Sequence, residues 1–169
     1  MLSPEQIKGL SLYEDMLCIR LFEEAICPYI EDGTIRTPCH LYIGQEAIAV
    51  GISSNLSKHD LIWGNHRSHG HYLAKGGDLN KLMAEIFCKE TGCSRGRGGS
   101  MHVVDSSAGI LGTVPIVAGT VPLAVGAALK FKISEEQNIS VSYMGDGATE
   151  EGHVSESMNM ASLYDLPVL

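Results

Sequence analysis

The sequence predicts an α/β fold in which a parallel sheet is flanked by helices. Segments with apolar residues at helical spacing alternate with short apolar runs, and most of these runs lead into polar or glycine-rich loops. Elements that alternate in this way form parallel sheets, because the helix between two strands carries the chain back to the same edge. The 169 residues, 44% of them hydrophobic, are enough to bury the core of one domain.

The first element is a long amphipathic helix over residues 3–31. Ser3 is a typical N-cap, Pro4 fits the first turn, and Asp32-Gly33 supplies the signals that end a helix. Apolar residues recur along it near helical spacing, so the helix requires a cover. Four further helices are predicted over residues 45–56, 78–89, 121–132 and 150–164.

Strands are predicted where short apolar runs are bounded by loops. Two such runs cover residues 61–64 and 139–144, and another strand begins at Leu166. Residues 92–99 contain four glycines and are predicted to be irregular. A polar cluster at 65–71 directly follows the first strand, and ligands of open α/β sheets bind at that location.

The charge of the chain excludes two classes of partner. With 20 acidic and 12 basic side chains the formal net charge is −8, so the basic surface typical of binding to nucleic acids or anionic membranes is missing. No stretch of about 18 apolar residues occurs, and the first residues lack the pattern of a secretory signal. We therefore expect no nucleic-acid partner, no membrane partner and a cytoplasmic protein.

The cysteines indicate a reducing compartment. They are odd in number and form no C-x-x-C pair, which favours neither a disulfide framework nor a zinc site. The five are Cys18, Cys27, Cys39, Cys88 and Cys93.

A turn suited to a diphosphate follows the strand predicted at 139–144. In Gly145-Asp146-Gly147-Ala148 a carboxylate stands between two glycines, at the end of a strand and before a helix. Glycines permit close backbone approach, N–H groups at a helix start face anionic oxygens, and an aspartate is a ligand for a hard divalent cation. The alternative is an ordinary tight turn with Asp146 near the helix cap, and these four residues by themselves favour that alternative.

The surroundings of the turn change this interpretation. Four stretches of the sequence, in order, resemble the thiamine diphosphate-binding α subunits of 2-oxo acid dehydrogenase (E1) components. They are residues 40–47, 67–70 and 96–102, and the Gly145-Asp146-Gly147-Ala148 turn with Glu151, Gly152, Glu156, Asn159, Ala161, Leu166 and Pro167. Residues 1–169 are therefore interpreted as the N-terminal part of a single thiamine diphosphate-binding α/β domain.

The resemblance implies a role for each matching residue. Asp146 matches an aspartate that ligates Mg²⁺, and Gly147 and Ala148 match backbone contacts to the diphosphate. Arg67 matches an arginine on the phosphates, which suits its bidentate donor geometry, and a solvated surface arginine is the alternative. His66 stands where many members have tyrosine, and its imidazole N–H can replace the phenol as a donor.

The segment 115–119 is implied to contact the cofactor as well. Val117 matches the apolar residue that holds the cofactor in its bent shape, and the alternative is a core valine. Pro115 is assigned to the same site. Pro115 and Ala118 stand where glycine is usual, which predicts a different local backbone.

Histidines supply the implied catalytic residue. His40 matches a histidine near the substrate carboxylate and the reacting centre, where it could orient substrate or help transfer a proton. His69 and His102 belong to shared motifs, and structural hydrogen bonding explains them at least as well as catalysis.

The implied function is that of an E1 α subunit. It comprises oxidative decarboxylation of pyruvate or a related 2-oxo acid, or cleavage of acetoin, with transfer of the acyl group to a lipoyl arm. The implied cofactors are thiamine diphosphate and Mg²⁺. The implied partners are an E1 β subunit in an α2β2 heterotetramer, a lipoyl-bearing E2 and a small-molecule 2-oxo acid.

The sequence departs from the family pattern after Leu166. The second half of the fingerprint, an Asn-Asn pair that completes the metal site, does not follow, so we expect a truncated fold. One alternative is a non-catalytic subunit that only docks a β partner. Another is a transketolase-type N-terminal half, which the stretches 40–47 and 96–102 disfavour. Nucleotide binding is weaker still, because no G-x-G-x-x-G with a following ribose-binding acid occurs after a strand.

Overall fold

Six helices and three strands are interleaved along residues 2–169, which are the residues that the computed structural model describes. The helices are α1 (Pro4–Glu31), α2 (Glu46–Ser53), α3 (His69–Ala74), α4 (Leu79–Ile86), α5 (Val121–Ile133) and α6 (Gly152–Leu163). The strands are β1 (Leu61–Gly64), β2 (Ile110–Thr113) and β3 (Ser140–Ser142), and short 3-10 helices cover Ser106–Ala108 and Asp146–Glu150.

The sheet is parallel, which confirms the predicted fold class. Its strand order is β2-β1-β3, and β1 pairs in parallel with both neighbours. Ile62 at the centre pairs with Ile110 on one side and Val141 on the other. At the outer edge of β3 a single parallel bridge joins Ser140 to Val168, within the strand predicted to begin at residue 166.

The main core lies between this sheet and two of the helices. Ile62 is buried together with Phe22 and Ile26 of α1 and with Leu82 and Ile86 of α4. Burial of each such side chain stabilises the fold by about 1.5–3 kcal/mol.

A polar contact joins the central strand to β3. The indole Nε1 of Trp63, the one tryptophan of the chain, donates to Ser140 Oγ at 3.0 Å. This bond crosses from β1 to the strand that leads into the glycine-flanked turn at 145–148.

Helix α1 begins at the predicted N-cap, Ser3, which forms a capping box with Gln6. Ser3 Oγ accepts from the backbone N of Gln6 at 3.2 Å, and the Gln6 side chain accepts from the backbone N of Ser3 at 2.9 Å. The buried residues of α1 all lie in its second half, between Ile19 and Ile26. Residues 2–11 are exposed throughout, so the expected cover is present only over the later turns.

Several predicted boundaries were wrong. Helix α4 ends three residues early because the chain turns at Cys88, whose φ is +54°. Strand β3 is confined to three residues, and α2 ends at Ser53 in a turn closed by the Leu56 N–H bonding to Ser53 O. Strand β2 was not predicted, because four residues that include Gly112 carry little strand signal.

Candidate functional site

A cleft of about 420 Å³ opens beyond the carboxyl ends of the strands. Its wall combines residues 65–67 after β1, residues 117–118 after β2 and residues 144–148 after β3, with Gln45 and Glu151 beside them. Ligands of open parallel sheets bind at this edge, and small-molecule sites have volumes of about 300–1,000 Å³. A larger cleft of about 730 Å³ lies at the opposite end, around residues 131–139 and 165–167, and contains no predicted site residue.

The structure brings six of the eight predicted site residues to this cleft. They are His66, Arg67, Val117, Asp146, Gly147 and Ala148. Pro115 precedes the lining segment and does not line the cleft. His40 is exposed and adjoins the cleft through His66, with ring centroids 5.0 Å apart in an edge-to-face arrangement.

Two hydrogen bonds hold Arg67 in the cleft wall. Its backbone N donates to Asn65 Oδ1 at 2.8 Å, and its Nη1 donates to Leu41 O at 2.6 Å. Within residues 2–169 the remaining guanidinium N–H groups have no protein acceptor. The half-buried, anchored side chain is therefore not the freely solvated arginine of the alternative interpretation.

The environment of His66 favours an uncharged ring. Burial lowers the pKa of His66, and the nearby His40 and Arg67 lower it further. A neutral imidazole offers one N–H donor and one acceptor, so His66 can donate without adding charge to the cleft.

The turn after β3 leaves its glycines and its carboxylate open. Asp146 and Gly147 are exposed, and a Cβ at Gly145 or Gly147 would have no heavy atom within 4 Å. The Ala148 N–H closes the turn on Gly145 O at 3.0 Å. An α-helix directly after the turn was a wrong prediction, since a 3-10 turn intervenes and extended backbone at Glu151 (ψ 126°) delays α6 to Gly152.

The segment after β2 carries backbone strain at the cleft. Ala118 has φ +56° and is buried, in the left-handed region that costs an L-residue about 1–2 kcal/mol. Its neighbour Val117 is 48% exposed, so the alternative of a core valine is wrong.

Cation ligands at the cleft are few. Asp146 and Glu151 are the carboxylates of its lining, and residues 2–169 contain no group of three or more His, Cys, Asp or Glu placed to hold a metal. Mg²⁺ demands near-octahedral coordination, and two carboxylates do not complete such a shell.

Residues 13–169 match the family described as dehydrogenase E1 component. The chain belongs to this family. The match favours the E1 interpretation over the transketolase-type alternative.

Curated E1 relatives show how much of such a subunit is present. The α subunit of acetoin:2,6-dichlorophenolindophenol oxidoreductase from Bacillus subtilis is 45% identical over 99% of this chain and 50% of its own length. The pyruvate dehydrogenase E1 component α subunits of Porphyra purpurea and Rhizobium meliloti are 40% and 42% identical, over 96% and 95% of this chain and 49% and 46% of their own lengths. The chain therefore spans about half the length of the curated relatives it matches.

One finding bears on membrane association of this E1 chain. Among residues 2–169 no helix combines the length and the apolar character needed to cross a bilayer.

Sequence reasoning missed the carboxylate that supports the glycine-rich loop of this E1 chain. Glu85 is fully buried and accepts from the backbone N–H groups of Ser94, Gly96, Gly98 and Gly99 at 2.7, 2.8, 2.7 and 3.2 Å. The available signal was an acid beside Leu82 and Ile86 on the apolar face of a helix, directly before a glycine-rich segment.

Proposed function

We propose that this chain is the N-terminal, thiamine diphosphate-binding portion of an E1 α subunit, a single α/β domain over residues 1–169. Its reaction is oxidative decarboxylation of pyruvate or a related 2-oxo acid, or cleavage of acetoin, with acyl transfer to a lipoyl group. The observation that carries the proposal is the convergence of Arg67, Val117 and Asp146 from three separate strand ends on one cleft. Membership of the E1 family and the names of the relatives support the same chemistry.

The cleft fits the diphosphate end of the cofactor. Its volume is in the range for small ligands, and the positions beside Gly145 and Gly147 are open. Arg67 presents guanidinium N–H groups that no described residue uses, and phosphate oxygens are their preferred acceptors. The residues present therefore suit a diphosphate, while the carboxylate of Asp146 suits part of a Mg²⁺ shell.

Each cleft residue has a role that follows from its chemistry. Arg67 neutralises phosphate charge, Asp146 ligates Mg²⁺, and the backbone at Gly147 and Ala148 approaches the diphosphate closely. The exposed side chain of Val117 provides an apolar surface for the cofactor rings, in the turn that follows Pro115.

The two histidines have different roles, His66 as a contact to the cofactor phosphate and His40 at the substrate. His66 remains neutral and donates a hydrogen bond, in keeping with its lowered pKa. His40, exposed and next to His66, orients the substrate carboxylate or moves a proton through an imidazole nitrogen. When bound, thiamine diphosphate supplies the electron sink for breaking the bond beside a 2-oxo group.

The proposed partners complete the site. They are an E1 β subunit in an α2β2 heterotetramer, a lipoyl-bearing E2 and a small-molecule 2-oxo acid or acetoin, in the cytoplasm. The negative charge of the chain argues against nucleic-acid and membrane partners.

A second candidate function is docking of a β subunit without turnover. The observation that favours it is that residues 2–169 contain no group of three or more His, Cys, Asp or Glu placed to hold a metal, and that Asp146 and Glu151 are the carboxylates of the cleft lining. A chain that offers so few ligands for Mg²⁺ binds the cation and its cofactor weakly unless another polypeptide adds ligands.

Calorimetric titration tests the proposal. Thiamine diphosphate with Mg²⁺ is titrated into the chain alone and into the chain with an E1 β subunit, and CO₂ release from pyruvate and cleavage of acetoin are measured in parallel. We expect Mg²⁺-dependent binding that is strengthened by the β subunit, followed by turnover of one substrate.

Matched variants locate the binding. Asp146→Ala abolishes the Mg²⁺-dependent heat, whereas Asp15→Ala, which removes an exposed carboxylate on α1, leaves it unchanged. A complex with the β subunit that forms without cofactor binding supports the docking function. Equal binding by both variants would contradict the assignment of the cleft.

A further inference from the structure

Three buried polar side chains form a continuous line behind the cleft. His69 Nδ1 lies 3.0 Å from Glu23 Oε1 and 3.2 Å from Glu23 Oε2, and His69 Nε2 lies 2.8 Å from Ser100 Oγ. Glu23 and His69 are fully buried, and Ser100 is 1% exposed. A polar line so deeply buried is costly unless every member has a partner, and here each one has.

The partners determine which ring nitrogen of His69 carries the proton. A carboxylate only accepts hydrogen bonds, so Nδ1 bears the proton and donates to Glu23. In a neutral ring Nε2 then accepts from the Ser100 hydroxyl. The hydrogen bonds therefore run in one direction: Ser100 donates to His69, and His69 donates to Glu23.

One end of this line adjoins the segment that contributes His66 and Arg67. His69 is the first residue of α3, and residues 65–67 between β1 and α3 line the cleft. The anchored imidazole thus fixes the point at which this turn ends.

The other end adjoins the loop that carries His40. A Cβ at Gly99 would lie 2.7 Å from Thr37 Cγ2, so the backbone before Ser100 packs closely on the same loop. The residue before Ser100 is therefore packed against Thr37, three positions before His40.

The burial of Ser100 rules out nucleophilic catalysis by these three residues. A serine, a histidine and a carboxylate in this order form the nucleophilic triad of many hydrolases. Ser100 is almost completely buried and does not line the cleft, so no substrate carbonyl reaches its Oγ.

We propose that Glu23, His69 and Ser100 are positioning residues that hold the His40 loop and the turn of His66 and Arg67 in a fixed relation at the cleft. The effect on cofactor binding rests on the proposed function, whereas the effect on the two segments does not.

The first test uses NMR on the ¹⁵N-labelled full chain and needs no cofactor. The variants are Ser100→Ala and Glu23→Gln, and His69→Gln identifies the ring signals. In the unmodified chain the His69 ring shows a protonated Nδ1 and an unprotonated Nε2. Ser100→Ala moves the Nε2 signal and shifts the backbone amide signals of His40 and Arg67.

The control variant is Asp60→Asn. Asp60 is a buried carboxylate that accepts from Ser57 N at 2.6 Å and Ile139 N at 2.8 Å, directly before β1 begins. It therefore lies at the end of the strand opposite the cleft. Its loss lowers stability and leaves the His69 ring signals and the two amide signals unchanged.

The second test measures thiamine diphosphate affinity with Mg²⁺ in the chain with its β subunit. Residues behind a ligand shell commonly change affinity by about 10–100-fold, so we expect an increase in Kd of about tenfold for Ser100→Ala and Glu23→Gln. Asp60→Asn leaves the Kd within about twofold, a change too small to indicate a lost contact.

Each outcome decides a separate question. Unchanged ring and amide signals in Ser100→Ala overturn the positioning role, as does an affinity loss equal to that of Asp60→Asn. Should Glu23→Gln not fold, Ser100→Ala carries both tests. Absence of cofactor binding in the unmodified complex contradicts the proposed function, and the NMR result then still decides the positioning role.

Discussion

The glycine-rich loop at 92–99 and the glycine-flanked turn at 145–147 each combine glycines with one carboxylate, but the two carboxylates have opposite surroundings. Glu85 is fully buried and accepts four backbone N–H groups of the loop. Asp146 is exposed, and its carboxylate accepts no hydrogen bond within residues 2–169. The Glu85 carboxylate accepts hydrogen bonds from the protein itself, whereas the Asp146 carboxylate remains available to a ligand.

The glycines of the two segments differ in the same way. A Cβ at Gly98 would lie 1.9 Å from His102 O, and one at Gly92 would lie 2.6 Å from Glu85 Cα. A Cβ at Gly145 or Gly147 would meet open space. In the loop glycine permits close packing of the chain on itself, whereas in the turn it leaves the cleft wide.

Exchange of each carboxylate for its amide is the strongest test of this comparison. Glu85→Gln places an NH₂ group among four backbone donors and should lower the free energy of unfolding by about 3 kcal/mol or more, because hydrogen bonds to a buried charge are lost. Asp146→Asn should change it by less than about 0.5 kcal/mol, as for most surface substitutions. Urea denaturation measures both, and equal losses would contradict the distinction.

Alanine at matched glycines tests the packing side of the comparison. Gly98→Ala forces a methyl group onto the backbone oxygen of His102 and should destabilise the chain by about 2–3 kcal/mol. Gly147→Ala should leave stability within about 0.5 kcal/mol and weaken thiamine diphosphate binding instead. Thermal unfolding and calorimetry separate the two effects. A similar stability loss at both positions would show that the turn is not open.

Acid should lower the free energy of unfolding through the buried His71, which packs next to the open turn. His71 stacks on Tyr143 with ring centroids 3.8 Å apart, and burial, with His69 nearby, lowers the pKa of His71 to about 3. Below about pH 6.5 the unfolded chain therefore binds a proton that the folded chain does not. The contribution of His71 to stability is complete above that pH and is lost as the pH falls towards 3, by about 1.4 kcal/mol per unit.

The matching measurement compares slopes of stability against pH. His71→Phe keeps an aromatic ring and removes the titrating group. The slope of the free energy of unfolding against pH, between pH 6 and pH 4, should therefore fall by about 1.4 kcal/mol per pH unit, the value for one proton. His59→Gln, which removes an exposed histidine, should leave the slope unchanged. Parallel slopes for the unmodified chain and His71→Phe would contradict the lowered pKa.

The smallest expected effect concerns the strained residue at the cleft. Ala118→Gly removes the Cβ penalty at φ +56°, and the greater freedom of glycine in the unfolded chain offsets about half of the gain. A net stabilisation of about 0.5 kcal/mol should raise Tm slightly. Gly119→Ala is the control with the opposite sign, because its Cβ would meet Ile116 Cβ at 3.1 Å. A lower Tm for Ala118→Gly would contradict the strain.

Helices and strands whose ends are set by residues close to them in the sequence could be predicted. The start of α1 at Ser3 and Pro4 and the bounds of β1 follow from capping residues and a short apolar run. The parallel sheet follows from the alternation of elements. Strand β2 escaped prediction because four residues with a glycine resemble the surrounding loop.

The candidate site was predictable in its residues and not in its geometry. Motifs named Arg67, Val117 and Asp146, which are separated by 50 and 29 positions along the chain, and only the sheet brings them to one cleft. Contacts such as Glu23 with His69, 46 positions apart, carry no local signal at all. Long-range partners of buried polar groups depend on tertiary structure, which helical or strand periodicity does not encode.

The bond between Trp63 and Ser140 gives the protein an intrinsic optical reporter. A single indole, half-buried on the central strand and hydrogen-bonded to the strand that leads into the open turn, emits from one defined junction. Its fluorescence therefore reports when β1 and β3 separate, without any label. A shift of the emission to longer wavelength that precedes the loss of helical circular dichroism would identify this junction as the first part of the fold to open.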